Sequence, residues 1–354
     1  MLLIRKRAHA RAGLIGNPSD GYHGRTISII VRNFWAEVTL YEWDDVELVL
    51  SQEDRSRFRS IQELARDVKL HGYYGGIRLV KATIKKFVEF CQSQGYRLHD
   101  RNFSVRYESN IPRQVGLAGS SAIIVATLRA LMDFYGVDIP LRVQPSLALS
   151  VETEELGIAA GLQDRVIQVY EGVVYMDFAK ERMERLQGLW CGQYEPLDPA
   201  LLPPLYLAYS AKVSEPTEVF HNNLRSRYEQ GVPEVVAAMT RFAELALLAR
   251  KALLAGDYAT LGELMNANFD LRRSICRIPA GQLEMIDRAR AAGATAKFAG
   301  SGGAILGTYP DQSTYQRLST SLREIGCHVL RPIIAAQEPS VRGPKDEESS
   351  STTQ

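Results

Sequence analysis

The apolar positions of the chain recur with two different periods. Residues 4–50 alternate between strands and turns, and the segment GRTISIIVRNFWAEVTLYEW is rich in β-branched and aromatic residues with a partial period of two. Helical spacing follows over residues 74–95, where Gly95 is a typical helix stop. FSVRYESNIP then has the composition of another strand. The first third of the chain is therefore expected to combine strands with a long helix.

Two more helices and a strand follow before the pattern changes. Apolar residues have helical spacing over about 120–135 and 143–156, and VVYMDF at residues 173–178 predicts a strand. Prolines then cluster in EPLDPALLPP, after which LYLAYS predicts a buried strand. We therefore place a domain boundary near residues 196–204.

Beyond this boundary the pattern predicts mostly helices. They are expected at about 216–230, 232–254 and 257–270, and then in LEMIDRARAAG and TYQRLSTSLREIG. The expected strands are a strand–turn–strand in AKFAGSGGAILGTY and a last strand in CHVLRPI. The polar tail from about Gln337 is rich in Pro and Ser, which predicts disorder. The expected units are an N-terminal domain at 1–200, a C-terminal domain at 201–336 and a disordered tail at 337–354.

Composition narrows the class of protein. A chain of 354 residues exceeds one comfortable core, which favours two domains. A formal net charge of +1 gives no electrostatic reason to expect nucleic acid or an anionic membrane as the main partner. The four cysteines have no C-x-x-C spacing, and no apolar run approaches the roughly 18 residues of a membrane span. We expect a cytoplasmic globular protein, and the sequence leaves its oligomeric state open.

A Gly/Ser-rich loop runs directly into a helical pattern in PRQVGLAGSSAIIVATLRAL, which begins at Pro112. Glycines allow a phosphate to approach the backbone, and the first N–H groups of a helix lack partners and carry partial positive charge. The loop therefore favours an anion site, although serines that only cap an ordinary helix would give the same pattern. It lacks both the Gly-Lys-Ser/Thr of a Walker A loop and the G-x-G-x-x-G of a dinucleotide fold.

An acidic pair lies in ETEELGIAAGLQDR, which runs from Glu152 to Arg165. Glu152 ends one predicted helix, and Asp164 stands near the start of the next. Two carboxylates at neighbouring helix ends could bind Mg²⁺ and orient a hydroxyl for phosphoryl transfer. The alternative is a solvated acidic face together with an Asp that caps its helix.

Two further segments contain the residue types of a ligand site. KFAGSGGAILG, which begins at Lys297, has more glycines than a tight turn requires, and this suits a loop lying against a ligand. RAGLIGNPSDGYHGR, which runs from Arg11 to Arg25, is dense in groups that can bind hydroxyls, although it also fits a surface turn.

Taken in order, these segments resemble the motifs of the GHMP kinase superfamily. RAGLIGNPSD is similar to its first motif, PRQVGLAGSSA to its second motif P-x-x-x-G-L-G-S-S-A with one extra residue, and KFAGSGG to its third motif K-x-x-G-x-G-G. The resemblance covers the chain to about residue 336. It implies a two-domain α+β fold, with an N-terminal ribosomal-S5-like domain and a C-terminal ferredoxin-like domain, and ATP in the cleft between them.

Within the superfamily the chain is most similar to the plant-type glucuronokinases. GNPSD and NFDLRRS carry this narrower resemblance, because they are less general than the nucleotide motifs. It implies an ATP-dependent kinase that phosphorylates the anomeric hydroxyl of D-glucuronate. The alternatives are a kinase for galacturonate, galactose or a heptose, a protein similar to diphosphomevalonate decarboxylase, and a non-catalytic sensor of sugar and ATP.

The resemblance also implies roles for individual residues. Arg11 and Asp164 would lie at the transferred phosphoryl group and the acceptor hydroxyl, and Ser121 and Glu152 would hold Mg²⁺. The extra Ala118 leaves open whether Ser120 or Ser121 reaches the metal. The expected ATP-binding residues are Pro112, Gly116, Leu117, Ala118, Gly119, Ser120, Ser121 and Ala122. The expected substrate-binding residues are Asn17, Ser19, Asp20, Tyr22, Arg25, Gly300, Ser301, Gly302 and Gly303.

A uronate adds one requirement, because its carboxylate calls for a cationic partner. Planar bidentate recognition favours Arg over Lys. Arg25 is the first choice on sequence, with Arg165 and Lys212 behind it. Galactose is the weaker choice of substrate, because Asn17 follows Gly16 where galactokinases have a Glu-His pair.

Overall fold

The computed structural model describes residues 2–49, 75–210 and 224–334. Lys212, the first part of the helix predicted at 216–230 and the tail at 337–354 lie outside the described residues, so these predictions stay open.

A six-stranded sheet forms the first half of the molecule. Its longest strands, β1 and β2, form an antiparallel hairpin that runs from the Leu3–Tyr41 pair to the Ile15–Ile27 pair, with register shifts after His9 and Gly13. The remaining strands give the order β3-β4-β2-β5-β8, with β1 on β2. The strands are β1 (Leu3–Ile15), β2 (Arg25–Trp43), β3 (Glu47–Leu48), β4 (Asn102–Ser109), β5 (Val173–Asp177) and β8 (Gln193–Leu197).

Four helices accompany this sheet, and α2 contacts both β1 and β2. Their apolar faces explain the helical spacing of the sequence. The helix predicted over 143–156 is confirmed, but its last turn, Val151–Glu155, is a wider π-helix. The helices are α1 (Gly76–Gln94), which Gly95 ends in a left-handed conformation, α2 (Gly119–Tyr135), α3 (Gln144–Ser150) and α4 (Gln163–Tyr170).

A four-stranded antiparallel sheet follows, with the order β10-β11-β9-β12. Together with its helices it has the β-α-β-β-α-β order of a ferredoxin-like unit. The strands are β9 (Leu205–Ser210), β10 (Lys297–Phe298), β11 (Ala304–Thr308) and β12 (Cys327–Leu330). The helices are α5 (Pro233–Ala255), α6 (Tyr258–Ile275), α7 (Ala280–Ala291) and α8 (Gln312–Glu324). A helical stretch at 224–229 precedes α5.

The pattern assigned no element between residue 178 and the boundary near 196–204. The structure has a short hairpin there, β6 (Glu184–Leu186) with β7 (Leu189–Cys191), and the sheet strand β8. These strands are only three to five residues long, which is too short for a clear period.

One hydrophobic core extends across both sheets. Leu207 of β9 and Leu245 of α5 belong to the same buried cluster as Val38 of β2 and Val125 of α2. Helix α5 packs on β2, so it covers apolar surface of the first sheet. The division near 196–204 stays a prediction. Among the described helices, none combines the length and apolar character needed to cross a bilayer.

Candidate active site

Strand β1 carries Arg11 into the interior, where it is 5% exposed. Its Nε donates to Asp164 Oδ1 at 2.6 Å, and its Nη2 donates to Asp164 Oδ2 at 2.8 Å. Its Nη1 donates to the carbonyl of Gly116 at 2.6 Å. Asp164 lies in the first turn of α4. The forked contact fixes the orientation of both charged groups, and it joins them to the Gly/Ser-rich loop.

The Gly/Ser-rich loop leads into α2 through Ala118, which has the left-handed backbone angles φ 63° and ψ 47°. The Ala118 carbonyl accepts hydrogen bonds from the Gln168 amide at 2.9 Å and the Ser121 hydroxyl at 3.2 Å. Ser121 is buried, whereas Ser120 is exposed. The helix start therefore presents the Ser120 hydroxyl and unpaired first-turn N–H groups to an anion.

The other predicted ATP-binding residues differ in accessibility. Leu117 and Ala122 are buried in the core, so their side chains cannot face a nucleotide. Pro112, Gly116, Ala118 and Gly119 are partly accessible. The assignment of ATP to this loop stays a prediction.

The third glycine-rich segment lies directly against this loop. Gly13 of β1 donates its N–H to the carbonyl of Ala299 at 2.7 Å. A side chain at Gly300 would overlap the Gly116 carbonyl and come within 2.8 Å of Arg11 Nη1. Only glycine allows the two loops to pack this closely. Gly300 to Gly303, predicted to bind substrate, therefore lie beside the loop predicted to bind ATP.

Lys297 is fully buried and ties this segment to the first motif. Its Nζ donates to the carbonyl of Gly13 at 2.6 Å, to Asn17 Oδ1 at 2.7 Å and to the carbonyl of Phe298 at 2.7 Å. Burial, with neighbouring arginines, lowers the pKa of Lys297 well below its usual value. Asn17 is buried as well, so its side chain serves this contact.

Helix α6 holds both motifs with two side chains one turn apart. Asn268 Oδ1 accepts a hydrogen bond from the Gly16 N–H at 2.7 Å. Asn268 Nδ2 donates to the carbonyl of Asn17 at 3.2 Å. Arg272 donates to the carbonyl of Gly300 at 2.6 Å and to that of Ser301 at 2.7 Å. Sequence reasoning gave Asn268 and Arg272 no role. Both lie in NFDLRRS, a segment that carries the resemblance to glucuronokinases but has no chemical pattern that predicts these contacts.

Asp20 lies in a short turn, Ser19–Tyr22, close to the start of α4. It is half-buried, and its Oδ2 accepts from the Gln163 N–H at 3.3 Å. Burial and repulsion from Asp164 raise the pKa of Asp20 to about 6. A side chain at Gly161 would overlap this carboxylate, so the position before α4 must stay small.

A shallow, open cleft lies beside Asp20. The residues that line it come from the first motif, from the stretch before α4 and from the helical stretch at 224–229. They are Pro18, Asp20, Gly21, Tyr22, Ala159, Ala160, Gly161 and Arg225. The cleft therefore contains one acidic and one basic side chain, next to the Arg11–Asp164 pair.

Glu152 lies in the π-helical turn and is 3% exposed, which excludes the solvated face considered for it. Its Oε2 accepts a hydrogen bond from Arg165, a residue of α4 that is equally buried. Burial and the nearby Arg11 lower the pKa of Arg165 to about 9, so it remains charged at neutral pH. Sequence analysis did not predict this buried ion pair.

The acidic residues after Glu152 do form a surface face. Glu155 accepts from Lys85 at 2.6 Å, and Glu154 accepts from Lys86 at 2.9 Å. Both lysines belong to α1, so these contacts fasten α1 to the π-helical turn. Within residues 2–49, 75–210 and 224–334, no cluster of three or more His, Cys, Asp or Glu side chains is placed to hold a metal.

The remaining predicted sugar-binding residues are differently placed. Ser19 is fully buried and donates its hydroxyl to the Arg25 carbonyl at 3.0 Å, so it stabilises its own turn. Tyr22 lines the cleft and packs against Tyr228, with ring centroids 4.7 Å apart. Arg25 donates to Asp177 at 2.9 Å. Of these three residues, only Tyr22 faces the cleft.

Comparisons with known proteins identify the family. The model of the GHMP kinases N terminal domain matches residues 78–172, and that of the GHMP kinases C terminal domain matches residues 249–326. Glucuronokinase 1 of Arabidopsis thaliana is 44% identical over 340 residues, which cover 93% of this chain and 91% of that protein. The chain belongs to the GHMP kinase family.

Further comparisons confirm the two-domain α+β fold of this GHMP kinase. Probable glucuronokinase 2 of Arabidopsis thaliana is 46% identical over 340 residues, covering 94% of this chain and 91% of that one. The crystal structure of Lactococcus lactis galactokinase complexed with galactose aligns with a TM-score of 0.73 over 94% of each chain. At 16% identity, that structure supports the fold alone.

Proposed function

We propose that this GHMP kinase transfers the γ-phosphoryl group of ATP to the anomeric hydroxyl of D-glucuronate, giving glucuronate 1-phosphate and ADP. The observation that carries the proposal is the position of the Arg11–Asp164 pair. Arg11 contacts the Gly/Ser-rich loop through the carbonyl of Gly116. Asp164 interacts electrostatically with Asp20 of the cleft. The similarity to the two Arabidopsis proteins supports glucuronate as the sugar.

The proposed reaction is an in-line displacement. The anomeric oxygen bonds to the γ-phosphorus, the bond from that phosphorus to the β,γ-bridging oxygen breaks, and the hydroxyl proton passes to the Asp164 carboxylate. Because Arg11 holds both oxygens of Asp164, the carboxylate serves mainly to orient the hydroxyl and accepts its proton late. Arg11 and the start of α2 provide positive charge for the transferred group.

We propose Mg²⁺ as the metal that accompanies ATP. Hydroxyl and carboxylate oxygens are the donors that Mg²⁺ accepts, and it usually takes few of them from the protein when it binds with phosphates. Ser120 or Ser121, together with Glu152, would hold it, and it would neutralise phosphate charge. Because Arg165 already offsets the charge of Glu152, we expect Mg²⁺ to bind weakly until the nucleotide is present.

The cysteines support a reducing compartment, and we propose the cytoplasm. Cys91 and Cys191 are buried free thiols, and Cys276 is also a free thiol. The proposed partners are D-glucuronate and ATP, and a net charge of +1 offers no general attraction to nucleic acid or an anionic membrane.

The test is an ADP-release assay with Mg-ATP and a panel of glucuronate, galacturonate, glucose and galactose. Phosphorus NMR identifies the phosphorylated position. We expect a preference for glucuronate and a 1-phosphate product. Preference for a neutral sugar, or a product phosphorylated elsewhere, would refute the proposed substrate.

A further inference from the structure

The arginines first considered for the uronate carboxylate are already paired with protein carboxylates. Arg25 donates to Asp177 at 2.9 Å, and Arg165 donates to Glu152 in the interior. Arg165 lies in the interior, so releasing Glu152 to bind a substrate carboxylate would break a buried pair, which is strongly destabilising. Arg25 is partly exposed, but it does not line the cleft.

Arg225 is differently placed. It lines the cleft together with Asp20, and its Nη2 would lie 3.8 Å from a side-chain carbon at Gly21. Within residues 2–49, 75–210 and 224–334, no hydrogen bond or ion pair engages the Arg225 guanidinium. It is half-buried, so its charge faces the cleft with less water around it than a surface arginine would have.

We propose that Arg225 binds the C6 carboxylate of the sugar acid and thereby selects it over a neutral sugar. This inference rests on the proposed function. A guanidinium presents a planar fork of donors that matches a carboxylate, and the resulting charge-assisted bonds are stronger than those between neutral groups.

The other residues of the cleft fit the remainder of such a substrate. Asp20 can accept hydrogen bonds from ring hydroxyls, and Tyr22 provides an aromatic surface beside it. Asp20 is the cleft residue that interacts electrostatically with Asp164. In this arrangement a pyranose directs its C1 hydroxyl to Asp164 and the carboxylate on C5 to Arg225, and both groups project from the end of the ring that contains the ring oxygen.

The experiment compares Arg225→Gln and Arg225→Lys with the unmodified chain. The sugars are glucuronate, glucuronamide, glucose and glucose 6-phosphate. Glucuronamide keeps the shape of glucuronate but has no charge, and glucose 6-phosphate places a phosphate at the same end. We expect Arg225→Gln to raise KM for glucuronate about 10- to 100-fold, with KM for ATP and for glucuronamide unchanged. Arg225→Lys should retain part of the preference.

Two more variants complete the design. Arg241→Gln removes an exposed charge from α5 that is paired with Glu244, and it should leave the sugar preference unchanged. Arg25→Gln tests the rival arginine, and a larger charge-specific loss there would overturn the assignment to Arg225. Equal KM increases for glucuronate and glucuronamide in Arg225→Gln, or no increase, would overturn it as well.

Calorimetric binding of glucuronate separates this inference from the proposed function. If the unmodified chain turns over glucuronate and Arg225→Gln does not change its KM, only the role of Arg225 fails. If the unmodified chain does not phosphorylate glucuronate, the proposed function fails, and loss of binding in Arg225→Gln still decides whether Arg225 recognises the carboxylate. A preference for glucose 6-phosphate would assign the site to phosphate and overturn the inference.

Discussion

Arg11 and Asp164 are joined by two hydrogen bonds, of 2.6 and 2.8 Å, although 153 residues separate them in the chain. Each side chain is thus oriented by the other before any substrate arrives. A site whose charged groups are already in place needs no reorganisation as charge develops in the reaction. We expect positioning by this pair, more than strong basicity of Asp164, to account for most of its effect on the rate.

Replacing Asp164 by Asn tests that role. Asn keeps the shape but cannot take the proton, and it leaves the charge of Arg11 uncompensated. We expect kcat to fall about 10²- to 10⁴-fold, with a smaller change in KM for ATP. The assay is ADP release, with thermal unfolding to verify that the variant is folded. Near-full turnover would exclude both the basic and the orienting role of Asp164.

The raised pKa of Asp20 predicts a pH-dependent stability. Its folded pKa of about 6 exceeds the ordinary aspartate value of 3.8, so its ionised form is disfavoured in the folded state. This penalty is fully present above pH 6 and disappears as the pH falls towards 3.8. Asp20→Asn should therefore stabilise the protein at pH 7.5, by at most about 3 kcal/mol, and not below pH 4. Denaturant unfolding at both pH values measures the difference.

Asp311 provides a control of the opposite sign. Hydrogen bonds from Thr314 and Ser313 lower the pKa of Asp311 to about 2. Its stabilising effect is present above pH 3.8 and is lost as the pH falls towards 2, so Asp311→Asn should destabilise the protein at pH 7.5.

Asp20→Asn should also raise KM for glucuronate about tenfold, because a neutral amide is the weaker acceptor. If the Asp20→Asn protein binds glucuronate normally and is no more stable than the unmodified chain at pH 7.5, both expectations for Asp20 are contradicted.

The Arg272 contacts of α6 predict a loss that affects ATP more than the sugar. Arg272→Lys keeps the charge but replaces the planar fork of donors that bonds the carbonyls of Gly300 and Ser301 with an ammonium of different reach and geometry. We expect kcat/KM for ATP to fall about tenfold, because the glycine loop loses its fixed position beside Gly116. KM for glucuronate should change little. An equal loss for both substrates would indicate general destabilisation.

Ala118 predicts a gain in stability. A non-glycine residue in the left-handed region costs about 1–2 kcal/mol, and glycine removes this cost at a smaller cost in chain entropy. We expect Ala118→Gly to raise Tm by about 1–3 °C. The control is Ala122→Gly inside α2, where glycine should lower stability by about 1 kcal/mol. A fall in Tm with both substitutions would show that Ala118 is not strained.

Elements with long periodic patterns were predictable from sequence, as the helices Gly76–Gln94 and Gly119–Tyr135 illustrate. The glycine-rich segments were also recognisable, because close packing of two loops requires residues without side chains. The partner of a buried charge could not be predicted from the sequence. Nothing in the pattern around Glu152 shows that its carboxylate faces Arg165, since the π-helical turn decides that contact. Arg225 has no local signal either, because the residues that share the cleft with it, Asp20 and Gly161 among them, lie far from it in the chain.

The role of Lys297 shows a related limit. Its place in a K-x-x-G-x-G-G pattern marked a glycine-rich segment, but the pattern does not show that its ammonium would be enclosed by carbonyls of Gly13 and Phe298. Three acceptors around one buried charge are a property of the assembled fold.

The bond from Gly13 to Ala299 has a consequence for how the protein is made. It joins the segment around Arg11 to one that is synthesised much later. A nascent chain that has exposed Arg11 and Asp164 still lacks the loop that completes their surroundings. Assembly of this site therefore has to wait until the segment around Ala299 has been synthesised.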